Sequence, residues 1–472
     1  MTSGTRREFL KAGLLGAGAV SLALLAFKRN WRSARRPLLS ELMGKLAPVA
    51  DETTGIHMLL LPEGFNYRTL SWTGSSLHDG RVVPGRVDGM GVVRQQANRV
   101  TLVRNHEMRG SSGPIGPADS SYDVTGGGTT TLVFDTAEVR LVDSWVSLSG
   151  TLGNCAGGVT PWGSWLSCEE AVLSPGFTGL SMPFRQKFWG SDNARQDHGF
   201  VFEVPAEGIA KPEPIRAMGQ FYHEAAAVDP GSGRVYMTED TAPKAGFYRY
   251  TPHQRGRLEA GGRLQMMRVG KGLDMRDGLV LNEKLSVSWV NIADPEKGFT
   301  PDSPEGDGVV KQGLAAGGSA FTSLEGCAHY QGRIFFTSKL GGGADAGYVF
   351  EYDPERELIW LIFESPGHDY ISGSDNIIMS PRGSLVLCED RVIMDKAAQS
   401  LVGLNAEGVL FRFCQVNPDL DTEFGGHDLH ETALNSEWAG VTFSADGQWL
   451  FCNLYNPGVT FAITGPWQQG LI

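Results

Sequence analysis

Short apolar stretches separated by turn residues follow one another along most of the chain. One unit recurs: an acidic or thiol residue opens an apolar strand, a glycine turn follows, and a second apolar strand ends in polar residues. A third strand, usually opened by glycine and rich in aromatic residues, comes later in each unit. In order, the six copies begin at Asp88, Cys155, Glu224, Glu325, Asp375 and Glu437, and the first copy is the weakest.

The repeat predicts the fold. In five copies the turn glycine lies five residues before the Cys or Thr that precedes the terminal polar residues. Six units of three or four antiparallel strands are typical of a six-bladed β-propeller, whose radial closure protects the strand edges. The sequence therefore predicts an all-β fold, a single six-bladed β-propeller over residues 50–472, with insertions near 171–198 and 252–320 as lids or rim decorations.

The N-terminal segment predicts an export signal. Residues 5–11, Thr-Arg-Arg-Glu-Phe-Leu-Lys, match the twin-arginine (Tat) signal, and the apolar run of residues 12–27 is short for a membrane span. We expect residues 1–36 to be a Tat signal with a basic flank, the Tat machinery to be a partner, and the protein to be periplasmic or secreted. No clean cleavage site is visible, so an uncleaved anchor stays open, although no stable membrane span is expected after processing.

Composition and charge narrow the chemistry. The chain has 62 glycines among 472 residues, as expected for many tight turns, and a net charge of −12. A nucleic-acid-binding surface needs a cationic stripe, so a nucleic-acid partner is not expected. An anionic substrate would need local positive charge from side chains or metal ions.

Equivalent positions on the inner strands of a propeller lie around the channel, so the six opening residues predict a ring of five carboxylates and one thiol. The second strands add further acidic residues at their ends: Glu107, Glu169, Glu170, Glu239, Asp240, Glu389 and Asp390. Carboxylates at such density need counter-charge. Oxygen ligands suit calcium, and the Cys155 thiolate suits a softer transition metal such as iron.

The sequence also allows predictions for three other cysteines and for three histidines. Cys168, Cys388 and Cys452 follow the same strand position among apolar residues and are expected to pack in the core. His106, His223 and His329 lie next to ring positions and could bind metal, orient a ligand or relay a proton, but a hydrogen-bonded core histidine is the commoner outcome. No nucleophile elbow, zincin helix or P-loop motif is present.

Several motifs together resemble the PhoX family of secreted alkaline phosphatases. They are the segments 104–107 (Arg-Asn-His-Glu), 126–130, 154–158 (Asn-Cys-Ala-Gly-Gly), 162–163 with 168–170 (Cys-Glu-Glu), 222–225, 238–240 and 437–456. The resemblance covers nearly the whole mature chain. It implies a Tat-exported propeller with an iron and calcium cluster in the channel that hydrolyses phosphomonoesters. It makes Cys155, Glu170, Glu224 or Glu239, and Glu325 the best candidates for ligands on the iron side.

The complete set of candidate metal ligands is Asp88, Asn105, Glu107, Cys155, Glu169, Glu170, Glu224, Glu239, Glu325, Asp375 and Glu437.

One departure from the family pattern affects the substrate. The family typically carries Arg-Pro-Glu-Gly where this chain has Ser-Leu-Glu-Gly at residues 323–326. Arginine would clamp a phosphate with two hydrogen bonds, whereas serine offers one and no charge. Lys339, which ends the second strand of the same copy, is a plausible substitute, and Arg104 and Arg391 are weaker ones. Lys339 and Arg104 are therefore the candidate catalytic cations.

The sequence thus predicts a metal-dependent hydrolase of small phosphate monoesters. Two alternatives remain: a calcium-dependent propeller esterase or lactonase, which needs no thiolate, and a non-catalytic metal-binding propeller that has lost its phosphate clamp. Ser323 favours the lactonase slightly and Cys155 argues against it. Metal content would separate the three readings.

Overall fold

The computed structural model describes residues 42–108, 110–175, 194–390, 398–468 and 471–472. The expected export signal in residues 1–36, the middle of the first insertion at 176–193, and Arg391 lie outside these ranges. Within them, no helix is long and apolar enough to cross a bilayer.

The first ten strands lead through the second copy of the repeat. They are β1 (Ala47–Val49), β2 (Leu59–Leu61), β3 (Asn66–Trp72), β4 (Val87–Gln96), β5 (Arg99–His106), β6 (Gly127–Asp135), β7 (Arg140–Thr151), β8 (Asn154–Val159), β9 (Ser164–Glu169) and β10 (Val201–Pro205).

The third and fourth copies contain β11 (His223–Val228), β12 (Val235–Glu239), β13 (Phe247–Gln254), β14 (Arg257–Val269), β15 (Leu285–Asn291), helix α1 (Gly308–Ala315), β16 (Leu324–Tyr330), β17 (Arg333–Ser338), β18 (Tyr348–Asp353) and β19 (Leu358–Glu364). The last two contain β20 (Ser374–Met379), β21 (Leu385–Glu389), β22 (Ser400–Leu404), β23 (Leu410–Val416), β24 (Glu423–Phe424), β25 (His427–Asp428), helix α2 (Leu429–Leu434), β26 (Trp438–Phe443), β27 (Leu450–Leu454) and β28 (Val459–Thr464). Short 3₁₀ turns cover 110–112, 118–120 and 216–218.

The expected hairpins form. Each copy opens with an antiparallel pair: β4–β5, β8–β9, β11–β12, β16–β17, β20–β21 and β26–β27. The predicted turn glycines at 163, 233, 332, 383 and 447 all have φ between +68° and +100°, the left-handed region that glycine enters without a steric cost. The first strands of the six hairpins contact one another in a closed order, β4, β8, β11, β16, β20 and β26, and the last contacts β4 again.

The blade count differs from the expectation. Hydrogen bonding gives four sheets of four or more strands, with nine, six, four and four strands, plus one of three and one of two. The nine-stranded sheet contains the third and fourth copies, because β15 pairs with β19 at their outer edges. The second copy has only β8, β9 and β10. The fold is therefore all-β and propeller-like, but its copies are not six separate blades.

The two ends of the described chain are joined within one sheet. β3 pairs antiparallel with β28, so an N-terminal strand completes the sheet of the last copy. Another early strand, β2, pairs with β23 of the fifth copy. The pairing of β3 with β28 joins the two ends of the described chain in one sheet and so closes the ring.

Part of the second insertion is built into the sheets. Residues 257–269 and 285–291 form β14 and β15, which extend the third copy outward, and α1 packs near β14. Part of the core lies between the third and fourth copies of the nine-stranded sheet, where Phe247 and Phe336 stack with ring centroids 4.2 Å apart. At the channel wall the inner strands approach closely: a Cβ on Gly158 would lie 1.7 Å from the Ala226 carbonyl oxygen, so no other residue fits there.

Candidate metal centre

One backbone hydrogen bond is repeated at the same place in all six inner hairpins. The amide that follows each second strand donates to the carbonyl of a residue just before the first strand, at 2.8–3.1 Å: Glu107 to Arg86, Glu170 to Gly153, Asp240 to Tyr222, Lys339 to Ser323, Asp390 to Gly373 and Tyr455 to Glu437. These bonds define equivalent positions independently of any sequence alignment.

Three sets of positions follow from this register. The residues that accept form the outer positions, and the residues that donate form the second ring. The first ring consists of the residues that lie two positions after each outer position. They are Asp88, Cys155, Glu224, Glu325, Asp375 and, in the sixth copy, Ala439.

The register corrects the placement of Glu437. Glu437 occupies an outer position, equivalent to Arg86 and Ser323, and not the first ring as the sequence predicted. Its carboxylate still reaches the channel, within 4.8 Å of ligand atoms from Asp88 and Glu107. The sixth copy was misaligned because Glu437 and Ala439 lie on the same side of the strand, two residues apart.

Carboxylates and one thiol converge in four overlapping groups, each with its ligand atoms within 4.8 Å of one another. The groups are Glu107, Cys155 and Glu170; Asp88, Glu107 and Glu437; Glu224, Glu325 and Asp375; and Asp375, Asp390 and Glu437. Eight of these nine residues were sequence candidates for metal ligands. Asp390 was noted as an acidic strand end but not included among the ligands, although its Cys-Glu-Asp motif parallels the Cys-Glu-Glu that ends in Glu170.

The surroundings of these carboxyl groups disfavour their charged form. Burial, together with neighbouring negative charge, raises the pKa of four carboxyls well above the ordinary range: Asp88, Glu224, Glu325 and Glu437. Burial raises the pKa of Asp375 to about 7, even though the Lys339 ammonium opposes the shift. Buried carboxylates in this arrangement are stable as anions only beside added positive charge.

The donor set fits metal ions. The Cys155 sulfur lies 3.7 Å from Asp88 Oδ2, and burial beside carboxylates raises the pKa of its thiol well above its usual value. Glu224 Oε1 is buried, with no hydrogen-bond partner in the described part of the chain. A bound cation would give such atoms partners and hold the thiol deprotonated.

Glu169 has a different role from the one predicted. Its Oε1 accepts hydrogen bonds from the Leu152 amide at 2.9 Å and from His198 Nδ1 at 2.7 Å. Its Oε2 accepts from the amides of Gly199 and Phe200 at 2.8 and 3.1 Å. Successive residues of a strand point to opposite sides, so Glu170 faces the channel and Glu169 is bound within the fold.

Glu239 and Asn105 are likewise engaged elsewhere. Glu239 Oε2 accepts from the Gly246 amide and the Tyr248 hydroxyl, both at 2.7 Å, while the neighbouring Asp240 takes the second-ring position. Asn105 donates to the carbonyls of Cys155 and Ala156 at 3.0 and 2.7 Å. Its oxygen accepts from Trp165 Nε1 and Ser167 Oγ, both at 2.9 Å, which satisfies the amide and makes a metal bond unnecessary.

The Asn105 contact is one of a series. In four copies, the side chain two residues before the second-ring residue donates a hydrogen bond. The acceptor is the backbone carbonyl of the first-ring residue in the next copy. The pairs are Asn105 to Cys155, Thr238 to Glu325, Thr337 to Asp375 and Asn453 to Asp88. These hydrogen bonds fix the backbone of four first-ring residues through side chains of the neighbouring copy.

The register also revises the cysteine alignment. Cys168 and Cys388 occupy the position of these donors, but in the sixth copy that position belongs to Asn453, and Cys452 is its neighbour. All three thiols are fully buried, as expected for core packing.

The two candidate catalytic cations lie in different places. Lys339 is in the second ring, where its ammonium pairs with Asp390 and lies 3.6 Å from Glu325 Oε1. Although burial opposes the charge, these carboxylates hold the pKa of Lys339 well above its usual value. Arg104 is fully buried between sheets, and its guanidinium donates to the hydroxyls of Thr130 and Thr460. Arg104 therefore does not face the channel.

The three histidines do not join the carboxylate groups. His106 bonds to the Gly85 carbonyl at 3.0 Å and to Thr130 at 2.9 Å, and His223 bonds to the Gly219 carbonyl at 2.9 Å and stacks on Phe221. His329 is partly exposed near Asp229, at 3.9 Å.

Comparison with protein families decides the relationship. The model of the alkaline phosphatase PhoX family matches residues 44–133 and 117–458. The chain belongs to the PhoX family. The resemblance inferred from the Cys-Glu-Glu and neighbouring motifs is thereby confirmed.

Other comparisons add little to the family assignment. No curated protein matches the chain significantly. A gluconolactonase from Xanthomonas campestris aligns over 90% of this chain and 98% of its own, with 13% identity and a TM-score of 0.40. A putative gluconolactonase aligns over 91% and 100%, with 9% identity and a TM-score of 0.41. The PQQ domain of a pyranose dehydrogenase from Coprinopsis cinerea aligns over 86% and 97%, with 10% identity and a TM-score of 0.32.

Two residues at the channel were missed in the sequence altogether. Tyr455 takes the second-ring position of the sixth copy and hydrogen-bonds to Glu107, and Arg86 donates to the Tyr455 hydroxyl at 3.1 Å. Arg86 precedes the weakest copy of this PhoX-family repeat, and the sixth copy was aligned two residues early. Counting two residues back from each opening acid would have found Arg86.

Proposed function

We propose that this PhoX-family protein is a metal-dependent hydrolase of phosphate monoesters. The observation that carries the proposal is the convergence of eight carboxylates and the Cys155 thiol in the channel, with ligand atoms within 4.8 Å in each group. Family membership supports alkaline-phosphatase-like chemistry. Phosphoryl transfer depends on positive charge placed around the phosphoryl oxygens, and this site has the ligands to hold it.

We propose that the fold is a six-unit propeller in which two units share an outer edge. The closed order of the six inner strands supports this reading. The repeated amide-to-carbonyl hydrogen bond supports it independently, since it gives six equivalent positions around one channel.

The ligand groups differ in chemistry, and the proposed metals differ accordingly. Glu107, Cys155 and Glu170 combine a thiol with carboxylates and suit iron. The other three groups contain only carboxylate oxygens and suit calcium. Bound cations would supply the positive charge that a phosphate ester needs in a channel otherwise lined by acids.

Lys339 supplies a fixed positive charge from the chain itself. It holds its proton because Asp390 and Glu325 flank it. The Ser323 hydroxyl lies at an outer position of the same copy and can offer a single hydrogen bond. We propose that Lys339 neutralises part of the second ring and so limits how many cations that side of the channel needs.

We also propose that the protein is exported by the Tat route and acts in the periplasm or outside the cell. The proposal rests on the twin-arginine motif and the apolar run that follows it.

The test is metal analysis of the purified protein together with hydrolysis of p-nitrophenyl phosphate. The proposal predicts bound iron and calcium, with turnover that a chelator abolishes and added metals restore. Calcium without iron, with hydrolysis of lactones but not of the phosphate ester, would favour the lactonase. Neither metal nor turnover would leave a non-catalytic propeller.

A further inference from the structure

Arg86 lies at the outer position of the first copy, at the same end of the channel as Glu107. The Glu107 amide donates to the Arg86 carbonyl at 2.9 Å, so the residue is fixed beside a member of two ligand groups. Ser323 holds the equivalent position in the fourth copy. In the closed order of the six inner strands, the first and fourth copies are three steps apart, so Arg86 and Lys339 come from different parts of the ring.

The backbone at the outer position favours glycine. Four of the six equivalents have positive φ: Arg86 at 50°, Gly153 at 57°, Ser323 at 37° and Gly373 at 64°. Two of these are glycine, which adopts this conformation without cost, whereas a long side chain there is disfavoured. An arginine kept at such a position points to a use for its side chain.

The Arg86 guanidinium is only partly engaged. Its Nη1 donates to the Tyr455 hydroxyl at 3.1 Å, and its centre lies 5.8 Å from the centroid of that ring. In the described part of the chain it makes no ion pair with a carboxylate within 4 Å, so Nε and Nη2 keep donors for another partner. Arg104, by contrast, is buried against two threonines, and Lys339 is paired with Asp390.

We infer that Arg86 binds the phosphoryl group of the substrate at the mouth of the channel. A planar guanidinium with free donors matches two phosphate oxygens, and half-burial strengthens the contact relative to bulk water. Tyr455 is then a positioning residue: its hydroxyl holds the guanidinium and links it to Glu107. This inference rests on the proposed function and names the chain's own anion-binding group within it.

The experiment compares Arg86→Gln and Arg86→Lys with the wild-type holoenzyme. The control is Arg81→Gln, an exposed arginine of the preceding loop that pairs with Asp79 at 3.1 Å. The readouts are KM and kcat for p-nitrophenyl phosphate, the inhibition constant of inorganic phosphate, phosphate binding by calorimetry, and iron and calcium content.

For Arg86→Gln we expect KM and the inhibition constant of phosphate to rise about tenfold or more, because a charge-assisted pair of hydrogen bonds is lost. Arg86→Lys should recover part of the affinity, since it restores the charge without the planar fork. Metal content should stay unchanged in both variants, and Arg81→Gln should behave as wild type.

Two results would overturn the inference. One is a wild-type inhibition constant for phosphate in Arg86→Gln. The other is a loss of iron or calcium from Arg86→Gln, which would show that Arg86 acts by orienting Tyr455 and the ligand Glu107 and not by contacting phosphate. If the wild type turns over the ester while Arg86→Gln is normal, the role of Arg86 fails and the phosphatase stands. If the wild type neither hydrolyses the ester nor binds phosphate, both fail.

Discussion

Glu169 and Glu170 are adjacent in the chain but belong to two different clusters of buried acidic side chains. The negative charge of the two clusters is balanced in different ways. In one, Glu169 and Asp123 flank His198, and all three side chains are essentially inaccessible. In the other, which contains Glu170, the channel carboxylates face one another and Cys155. The comparison shows how a structural acid differs from a ligand.

The His198 cluster is complete by itself. Although burial opposes its charge, Glu169 and Asp123 raise the pKa of His198 to about 9, so it is a cation at neutral pH. Asp123 also accepts hydrogen bonds from the amides of Arg195 and Gln196, and Glu169 accepts three amides. The channel cluster, by contrast, has Lys339 as its one described side-chain cation within 4 Å of a carboxylate of the ligand groups. The channel carboxyls are therefore anions at neutral pH only beside positive charge from outside the chain.

The largest expected effect comes from Cys155→Ala. Outer-shell partners of a metal already cost 10- to 100-fold when removed, so loss of a ligand should lower phosphate ester turnover by about 100-fold or more. Iron should be lost, with the fold kept. Elemental analysis and turnover of p-nitrophenyl phosphate check this, with Cys168→Ala as the control in the same hairpin. Full iron content and normal turnover in Cys155→Ala would make the thiol a spectator.

Replacing each of the two neighbouring glutamates in turn should distinguish an effect on stability from an effect on metal binding. Glu169→Gln breaks a buried ion pair with His198 and turns an amide toward donors, so it should destabilise the protein by about 3–5 kcal/mol. Glu170→Gln should instead lower metal content and activity with little change in the stability of the metal-free protein. Denaturant unfolding and elemental analysis measure both. Equal stability losses in the metal-free variants would show that the two acids do not differ as described.

Metal removal should make stability depend on pH. A carboxyl whose pKa is raised on folding loses stabilising free energy as pH rises from its unfolded value of about 4 toward its folded value. For Asp375, with a folded pKa of about 7, the loss between pH 5 and pH 7 is about 2 kcal/mol. Chelated protein should therefore melt at a lower temperature at pH 8 than at pH 5, and iron with calcium should restore the melting temperature at pH 8. A chelated protein that is no less stable at pH 8 would mean that the channel acids are already compensated.

The smallest expected effect concerns the hydrogen bonds that hold the first ring. Thr337→Val keeps the side-chain shape but removes the donor to the Asp375 carbonyl at 2.8 Å, which should cost about 1 kcal/mol. Metal content should be nearly unchanged, because three equivalent donors remain. Thermal melting of the metal-free protein measures the cost. A large loss of metal would show that the ring depends on each backbone contact.

Much of the architecture and eight of the nine residues in the ligand groups could be predicted from local patterns. The turn glycines, the paired strands and the opening acids recur in the sequence because each copy folds by the same local rules. Cys155 was identified because a thiol replaced a carboxylate at an equivalent position. The joining of the third and fourth copies through β15 and β19 could not be predicted, since it depends on where an insertion packs.

The sequence by itself determined that this chain is all-β, that it repeats and that its family is PhoX. It also determined that an acid, or in one copy a thiol, accompanies each inner strand. The tertiary structure alone decided which acid of each adjacent pair faces the channel. Strand alternation sends Glu170 and Glu169 to opposite sides, but which side is the channel depends on the hairpin register, and a shift of one residue would exchange the two glutamates. The tertiary structure also decided that Arg86, which belongs to no sequence motif, lies beside Glu107. Closure of the ring places Tyr455, from the other end of the chain, in hydrogen-bond contact with both residues.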